Sequence, residues 1–189
     1  MQIMKLNDYG VQRARCSQDA LRQAKLLGRG TFGAVFEGSK PGRVFKLTTD
    51  RSHRDYLVDG LSPEGVYKPK VFEDFDEVGE TSKGYSLYLF EMERLQPIRR
   101  GTANGRLARR IVNFVGAAKR CPEMDDKGWD DLPPALFRFM EDLNMFISNF
   151  DCRYDMHWKN FMERDDGTLV FSDPVLDYVL FERSIGWRH

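Results

Sequence analysis

Cysteine is scarce in this chain of 189 residues: Cys16, Cys121 and Cys152 are all there is. They are far apart, odd in number and without metal-ligand spacing. A disulfide framework and a zinc module are therefore excluded as organising devices, and a reducing cytoplasm fits best. Net charge is also absent, because Lys+Arg and Asp+Glu are both 29. The global basic field of a nucleic-acid-binding protein is missing, which disfavours that class of partner. No apolar run approaches the roughly 18 residues that span a bilayer. The segment MQIMKLNDYG has no apolar core of signal-peptide length. The expectation is a cytoplasmic protein with no membrane partner. With 41% hydrophobic and 31% charged residues the composition is globular, and the length suits one domain or two small lobes sharing a cleft.

The most informative stretch runs from Tyr154 to Val175, YDMHWKNFMERDDGTLVFSDPV. Asn160-Phe161-Met162 and Thr168 to Phe171 read as short strands, joined by a hairpin at Asp165-Asp166-Gly167. That arrangement puts Asn160 at the start of one strand and Asp173 at the end of the other, so both reach one point. An amide oxygen and a carboxylate are hard ligands suited to Mg²⁺. Asp155, on the preceding loop, would face the same point as a base. Protein kinases use this set, D-x-x-x-x-N followed by D, with the first Asp accepting the hydroxyl proton and the other two residues holding metal.

Upstream, residues 1–16 carry no clear signal. Ser17 has the character of an N-cap for a short helix bearing Ala20, Leu21 and Ala24. From Lys25 the pattern becomes strand, turn, strand. Gly28, Gly30 and Gly33 form G-x-G-x-x-G with Arg29 and Thr31 inside it and Val35 just beyond. The motif precedes an alternating strand instead of opening a helix, which argues against a dinucleotide fold and for a loop whose amides approach phosphates. After a turn at Lys40-Pro41-Gly42, Val44, Lys46 and Thr48 share one strand face and Phe45 and Leu47 the other. Lys46 is then placed to hold the α- and β-phosphates of ATP. A kinase pairs this lysine with a helix glutamate. The helix expected from Asp50 to Gly60 has none, leaving Asp55, Asp59 or Glu64 as alternatives. Strands are expected over Tyr67–Phe75 and Tyr85–Leu95, the second ending FEMERLQP. There Met92, Glu93 and Leu95 read as an adenine-binding hinge, and a frame at Phe90 and Glu91 stays open.

Past the hinge the chain reads as helical. Leu107, Ile111, Phe114, Val115 and Ala118 are at helical spacing. Arg94, Arg99, Arg100, Arg106, Arg109, Arg110, Lys119 and Arg120 lie in a stretch with no acid, either a solvated face or a dock for an acidic protein. An acidic linker, CPEMDDKGWDDLPP, follows. Asp131 and Pro133-Pro134 then mark the start of the strongest helix, with Leu136, Phe139, Met140, Leu143, Phe146 and Ile147 as its core stripe.

Across roughly residues 25–180 the ordered set resembles the protein-kinase-like fold. Three segments, LLGRGTFGAVFEGSKPGRVFKL, GWDDLPPALFRFMEDL and FDCRYDMHWKNFM…FSDPV, resemble the early serine/threonine protein kinase of short-tailed lytic bacteriophages. The resemblance implies an α+β fold, a minimal two-lobe kinase with an antiparallel N-lobe sheet and a reduced helical C-lobe. It divides the chain into an N-terminal extension (1–24), an N-lobe with hinge (25–95) and a C-lobe (96–189). It implies transfer of phosphate from ATP, with Mg²⁺, to host proteins in the bacterial cytoplasm, reprogramming transcription and translation. Asp155 and Lys46 would be catalytic, Asn160 and Asp173 metal ligands, and Gly28, Arg29, Gly30, Thr31, Gly33, Val35, Lys46, Met92, Glu93 and Leu95 nucleotide contacts. Departures are visible. Arg153 and Tyr154 stand where ordinary kinases have His and Arg, and only residues 176–189 follow Asp173-Pro174-Val175, so no activation segment is expected. His157, two residues after the base, matches small-molecule kinases of the aminoglycoside phosphotransferase type. A small-molecule kinase, or a kinase-like protein that binds and inhibits a host protein, are the alternatives.

Overall fold

The computed structural model describes residues 8–118 and 132–185. Lys119, Arg120, Cys121, most of the acidic linker and Asp131 lie outside them. The chain is α+β, with a five-stranded antiparallel sheet, two small sheets and several helices. No helix among the described residues is long and apolar enough to cross a membrane. Two compact units are distinguished. The first takes in the chain up to Asp59, Lys70–Arg94 and the chain from Asp177. The second comprises Gly60–Pro69 and Leu95–Leu176.

The first unit is built on β1 (Leu26–Arg29), β2 (Gly33–Glu37), β3 (Arg43–Thr48), β4 (Val71–Glu80) and β5 (Ser86–Glu93), in the order β1-β2-β3-β5-β4. Cross-strand partners share a face in such a sheet. Phe36 is opposite Phe45, and Leu47 lies between Ala34 and Leu89. These residues, with Leu87 and Val78, form one core cluster. Helices α1 (Asp8–Ser17) and α2 (Asp19–Arg22) cover that cluster through Val11, Ala14 and Leu21. Here the sequence expectation needs correction. Ser17 ends a helix instead of starting one, its hydroxyl donating to the carbonyls of Ala14 and Val78, both at 3.1 Å. The stretch from Asp8 that precedes it, silent in sequence, is helical because Val11 and Ala14 fall on one face and are buried.

Helix α3 (Arg51–Val58) starts at Asp50, whose buried carboxylate caps the His53 amide at 3.0 Å and also accepts from Asp177 N at 3.2 Å. Arg54 reaches from α3 to Asp74 (3.6 Å) and Asp76 (3.1 Å) on β4. Burial lowers the affinity of this guanidinium for its proton, but the Asp55, Asp74 and Asp76 carboxylates outweigh it and hold the pKa above its ordinary value. The expected strand over Tyr67–Phe75 begins later, at Val71. The residues Tyr67–Pro69 belong to the second unit, where Tyr67 accepts from Phe171 N at 2.8 Å.

The second unit contains β6 (Gln96–Pro97), α4 (Ala103–Ala118), α5 (Pro134–Asn149), β7 (Cys152–Tyr154), a 3₁₀ turn at Trp158–Asn160, β8 (Phe161–Glu163) and β9 (Leu169–Phe171). β10 (Val175–Asp177) pairs with β7, and α6 (Tyr178–Ile185) follows it. Helix α4 starts earlier than its apolar pattern suggested, because the Thr102 hydroxyl caps the Gly105 amide at 3.1 Å. Helix α5 buries Leu136, Phe139, Met140, Leu143 and Phe146 of the stripe expected from sequence, while Ile147 at its end is only half-buried. Its Phe139 ring lies 5.0 Å from Phe171 and 5.7 Å from Tyr67, and Phe161 is 4.9 Å from Phe171. This aromatic cluster fixes the β8–β9 hairpin, from whose base the candidate site is built.

Candidate functional site

The first unit carries the glycine loop and Lys46. Gly28 is opposite Val35, and Arg29 opposite Ala34. Since Ala34 belongs to the core face, the Arg29 side chain leaves the loop on the α1 side. There it lines a cavity of about 180 Å³ with Val11, Gln12, Arg15, Leu26 and Phe36. Any contribution of Arg29 at the Lys46 face is thus through its backbone. Lys46 lies between Val35 on β2 and Phe90 on β5, and Val44, two residues away, is opposite Met92. Val35, Lys46, Phe90 and Met92 therefore share the face opposite the core cluster.

The three glycines differ in what they do. A Cβ on Gly33 would sit 2.9 Å from the Leu47 carbonyl oxygen, so close strand packing requires glycine there. A Cβ on Gly28 would meet nothing within 4 Å, and one on Gly30 only the Gly33 oxygen at 3.8 Å. Neither residue has the positive φ that demands glycine. Internal packing thus explains Gly33 but not Gly28 or Gly30. The turn is closed by the Gly30 N–H donating to the Gly33 oxygen at 2.8 Å, and Thr31 beside it is exposed.

Of the acids offered as partners for Lys46, Asp55 is bound by Arg54 at 3.3 Å and Arg51 at 3.6 Å. Asp59 ends α3, its amide donating to the Asp55 carbonyl at 2.8 Å, and Glu64 is exposed in the second unit. At the end of β5 the Glu93 N–H donates to the Lys70 carbonyl at 2.9 Å, so only the carbonyl side of Glu93 could read an adenine. Leu95, the first residue of the second unit's longer segment, is buried. Phe90 and Glu91 are paired on both sides, to β3 and β4. Glu91 has a structural task that sequence reasoning missed. Only 3% exposed, it accepts from the Ser39 amide (2.7 Å), the Ser39 hydroxyl and Arg43 (2.9 Å). Burial alone would raise its pKa, but these donors outweigh burial and hold it below the usual carboxylate range.

The second unit carries Asp155, Asn160 and Asp173 within one hydrogen-bonded frame. The Asp155 amide donates to the Pro174 carbonyl at 2.8 Å. The Asn160 carbonyl accepts from the Ser172 amide at 2.9 Å and the Ser172 hydroxyl at 3.0 Å. The bonded residues Ser172 and Pro174 flank Asp173, so Asp173 is tied at the backbone to both other positions. Asn160, 8% exposed, donates its side-chain amide to the Asp155 carbonyl (2.7 Å) and to Asp155 Oδ2 (2.9 Å). This fixes the amide orientation and turns Asn160 Oδ1 away from Asp155. The expected strand at Asn160 is a 3₁₀ turn instead, with the strand starting at Phe161, and that turn is what aims the side chain back at Asp155.

His157 opens the 3₁₀ turn. Its carbonyl accepts from the Asn160 amide at 2.9 Å, and Nδ1 accepts from the Lys159 amide at 3.2 Å. An accepting Nδ1 leaves the neutral ring's proton on Nε2, which faces Asp155 Oδ2 at 3.7 Å. Tyr154 donates its hydroxyl to Asn144 Oδ1 of α5 at 3.2 Å. Burial, reinforced by nearby Cys152, pushes its pKa up to about 12. Trp158 is also anchored: a Cβ on Gly105 of α4 would lie 3.1 Å from its ring, and the Arg100 guanidinium sits 5.9 Å from its centroid. None of these supporting contacts has a sequence motif.

Among the described residues no three His, Cys, Asp or Glu side chains form a metal-binding group. Asn160 and Asp173 provide one amide oxygen and one carboxylate. That sparse, hard donor set fits Mg²⁺, which keeps waters and substrate phosphates as its other ligands. Exposed Gly28 and Gly30, unexplained by packing, fit a close approach of phosphate to the loop backbone, although the Gly30 amide itself is bonded to Gly33. No family model matches the chain, and no curated protein matches it.

Proposed function

We propose that this protein is an ATP-dependent phosphotransferase, a minimal kinase-like enzyme of two lobes that phosphorylates serine or threonine hydroxyls of proteins. The observation that carries the reading is the frame around Asp173. Asn160 holds Asp155 through its side-chain amide, while Ser172 and Pro174 bind back to Asn160 and Asp155. A hairpin of solvated acids needs no such frame.

In this reading the amides around Gly28 and Gly30 and the ammonium of Lys46 bind the phosphates, and Val35 and Met92 pack against the base. Asp155, its side chain 34% exposed, accepts the acceptor hydroxyl's proton. The new bond joins that oxygen to the γ-phosphorus, the bond to the bridging oxygen breaks, and ADP leaves. Asn160 and Asp173 would hold Mg²⁺, which supplies charge neutralisation on the phosphates. Positioning and electrostatics account for most of the rate. The sequence resemblance extends the reading to a bacteriophage enzyme acting on host proteins in the bacterial cytoplasm.

A small-molecule acceptor is the second reading, favoured by His157 and its position beside Asp155. The test is incubation of the protein with γ-labelled ATP and either bacterial lysate or a panel of aminoglycosides. Label on protein, lost in Asp173→Ala, supports the first reading. Label on a small molecule alone supports the second, and label on neither removes both.

A further inference from the structure

The second unit has a charged surface that the phosphotransfer reading leaves without a task. Arg99 and Arg100 precede α4, and Arg106 and Arg109 follow on its exposed side, while Gly105, Ala108, Ile111 and Val115 face inward. Helical spacing puts Arg106 and Arg109 on one face. No acid occurs from Arg94 to the end of α4. The nearby carboxylate of Glu163 is engaged by Asn104 at 2.9 Å.

This surface is joined to the Asp155 loop within one unit. Trp158, three residues after Asp155, lies in contact with Gly105, and Arg100 caps its ring. Lys159, next in the same turn, is exposed. Trp158 is therefore the link between the arginine-bearing helix α4 and the 3₁₀ turn that follows the Asp155 loop.

We infer that this ridge recognises an acidic protein segment, so that the acceptor hydroxyl is selected from among Asp and Glu residues. The inference rests on the phosphotransferase reading, and charge complementarity names the partner. Arg106 is held by the Gly101 carbonyl at 2.6 Å, so at least one of these guanidiniums is partly preordered for a ligand. RNA would be drawn by the same charge. It is disfavoured because no run of exposed aromatics lies along the ridge among the described residues, whereas single-stranded nucleic acids stack on successive aromatics.

The test uses the full chain and three labelled probes of equal length: a Glu-rich peptide with one Ser, the same peptide with Gln for Glu, and a single-stranded RNA. Binding is measured without nucleotide at low and moderate salt. The Glu peptide should bind at least roughly tenfold more tightly than the Gln peptide at low salt and lose that advantage as salt rises. Arg100→Glu/Arg106→Glu/Arg109→Glu should abolish the preference, and the same triple change to Gln should weaken it, with unfolding midpoints near wild type. Equal binding of both peptides, no effect of either triple variant, or RNA binding that the Glu peptide cannot displace would each overturn the inference. Phosphate transfer to the peptide Ser is followed separately. Charge-selective binding without transfer refutes the enzyme reading and leaves the ridge standing. Transfer to both peptides at equal rates refutes the ridge alone.

Discussion

Asn160 gives both hydrogens of its side-chain amide to Asp155, one to the main-chain carbonyl at 2.7 Å and one to Oδ2 at 2.9 Å. One residue thereby orients the candidate base and, in the proposed reading, would also offer its own oxygen to the metal. Asn160→Ala removes both functions, so apparent Mg²⁺ affinity should fall roughly 10–100-fold together with activity. Asn160→Asp keeps an oxygen ligand but sets a second carboxylate against Oδ2. Like charges this close raise one pKa of the pair, so the acidic limb of the pH–rate profile should move to higher pH. An unmoved limb would mean that Asp155 is not the titrating base.

Gly105 tests the anchoring of Trp158. Alanine in a helix interior normally gains about 1 kcal/mol over glycine. Here the new Cβ would lie 2.4 Å from the Arg99 carbonyl oxygen and 3.1 Å from the Trp158 ring. The first contact is backbone and cannot rotate away. Overpacking of this kind costs roughly 1–3 kcal/mol, so Gly105→Ala should lower the urea midpoint, and a raised midpoint would contradict the packing described.

Glu91 is a stability residue with a defined acid response. Glu91→Gln removes the charge from a site held by Ser39 and Arg43 and should cost roughly 1.5–3 kcal/mol at neutral pH. The folded pKa is lowered, so the carboxylate's contribution is present above the unfolded carboxyl range and lost as pH falls through the folded value. The stability gap between variant and wild type should therefore close on acidification. A gap constant across that range would show that the charge contributes nothing.

Tyr154 gives the opposite sign. Its pKa is raised to about 12, so the phenol's contribution is present below the ordinary value of about 10 and is lost as pH rises toward 12. Tyr154→Phe should lose about 1 kcal/mol near neutrality with the Asn144 bond, and its alkaline decline should be shallower than wild type. Parallel declines would place the titration elsewhere.

The architecture was legible where periodicity reports burial. The alternation about Lys46, the turn at Gly42 (φ 78°) and the stripe of α5 all appear as read. Helix α1 was not legible, because two apolar residues, Val11 and Ala14, suffice to bury it on a sheet formed later in the chain. The motif positions Asp155, Asn160 and Asp173 were visible as residue types. Their frame through Pro174 O, Ser172 and the Asn160 amide was not, since backbone bonds leave no sequence pattern. Glu91 looked like a hinge alternative. Its burial depends on Ser39 and Arg43, which come near it only when β3 pairs with β5.

The most direct test of the central proposal is phosphate transfer from γ-labelled ATP by the wild type, Asp155→Asn and Asp173→Ala, each shown to be folded. The proposal predicts labelled protein with wild type and Mg²⁺, a loss of roughly 10²–10⁴ in kcat for Asp155→Asn, and no detectable transfer for Asp173→Ala. Transfer by folded Asp173→Ala at the wild-type rate would contradict it.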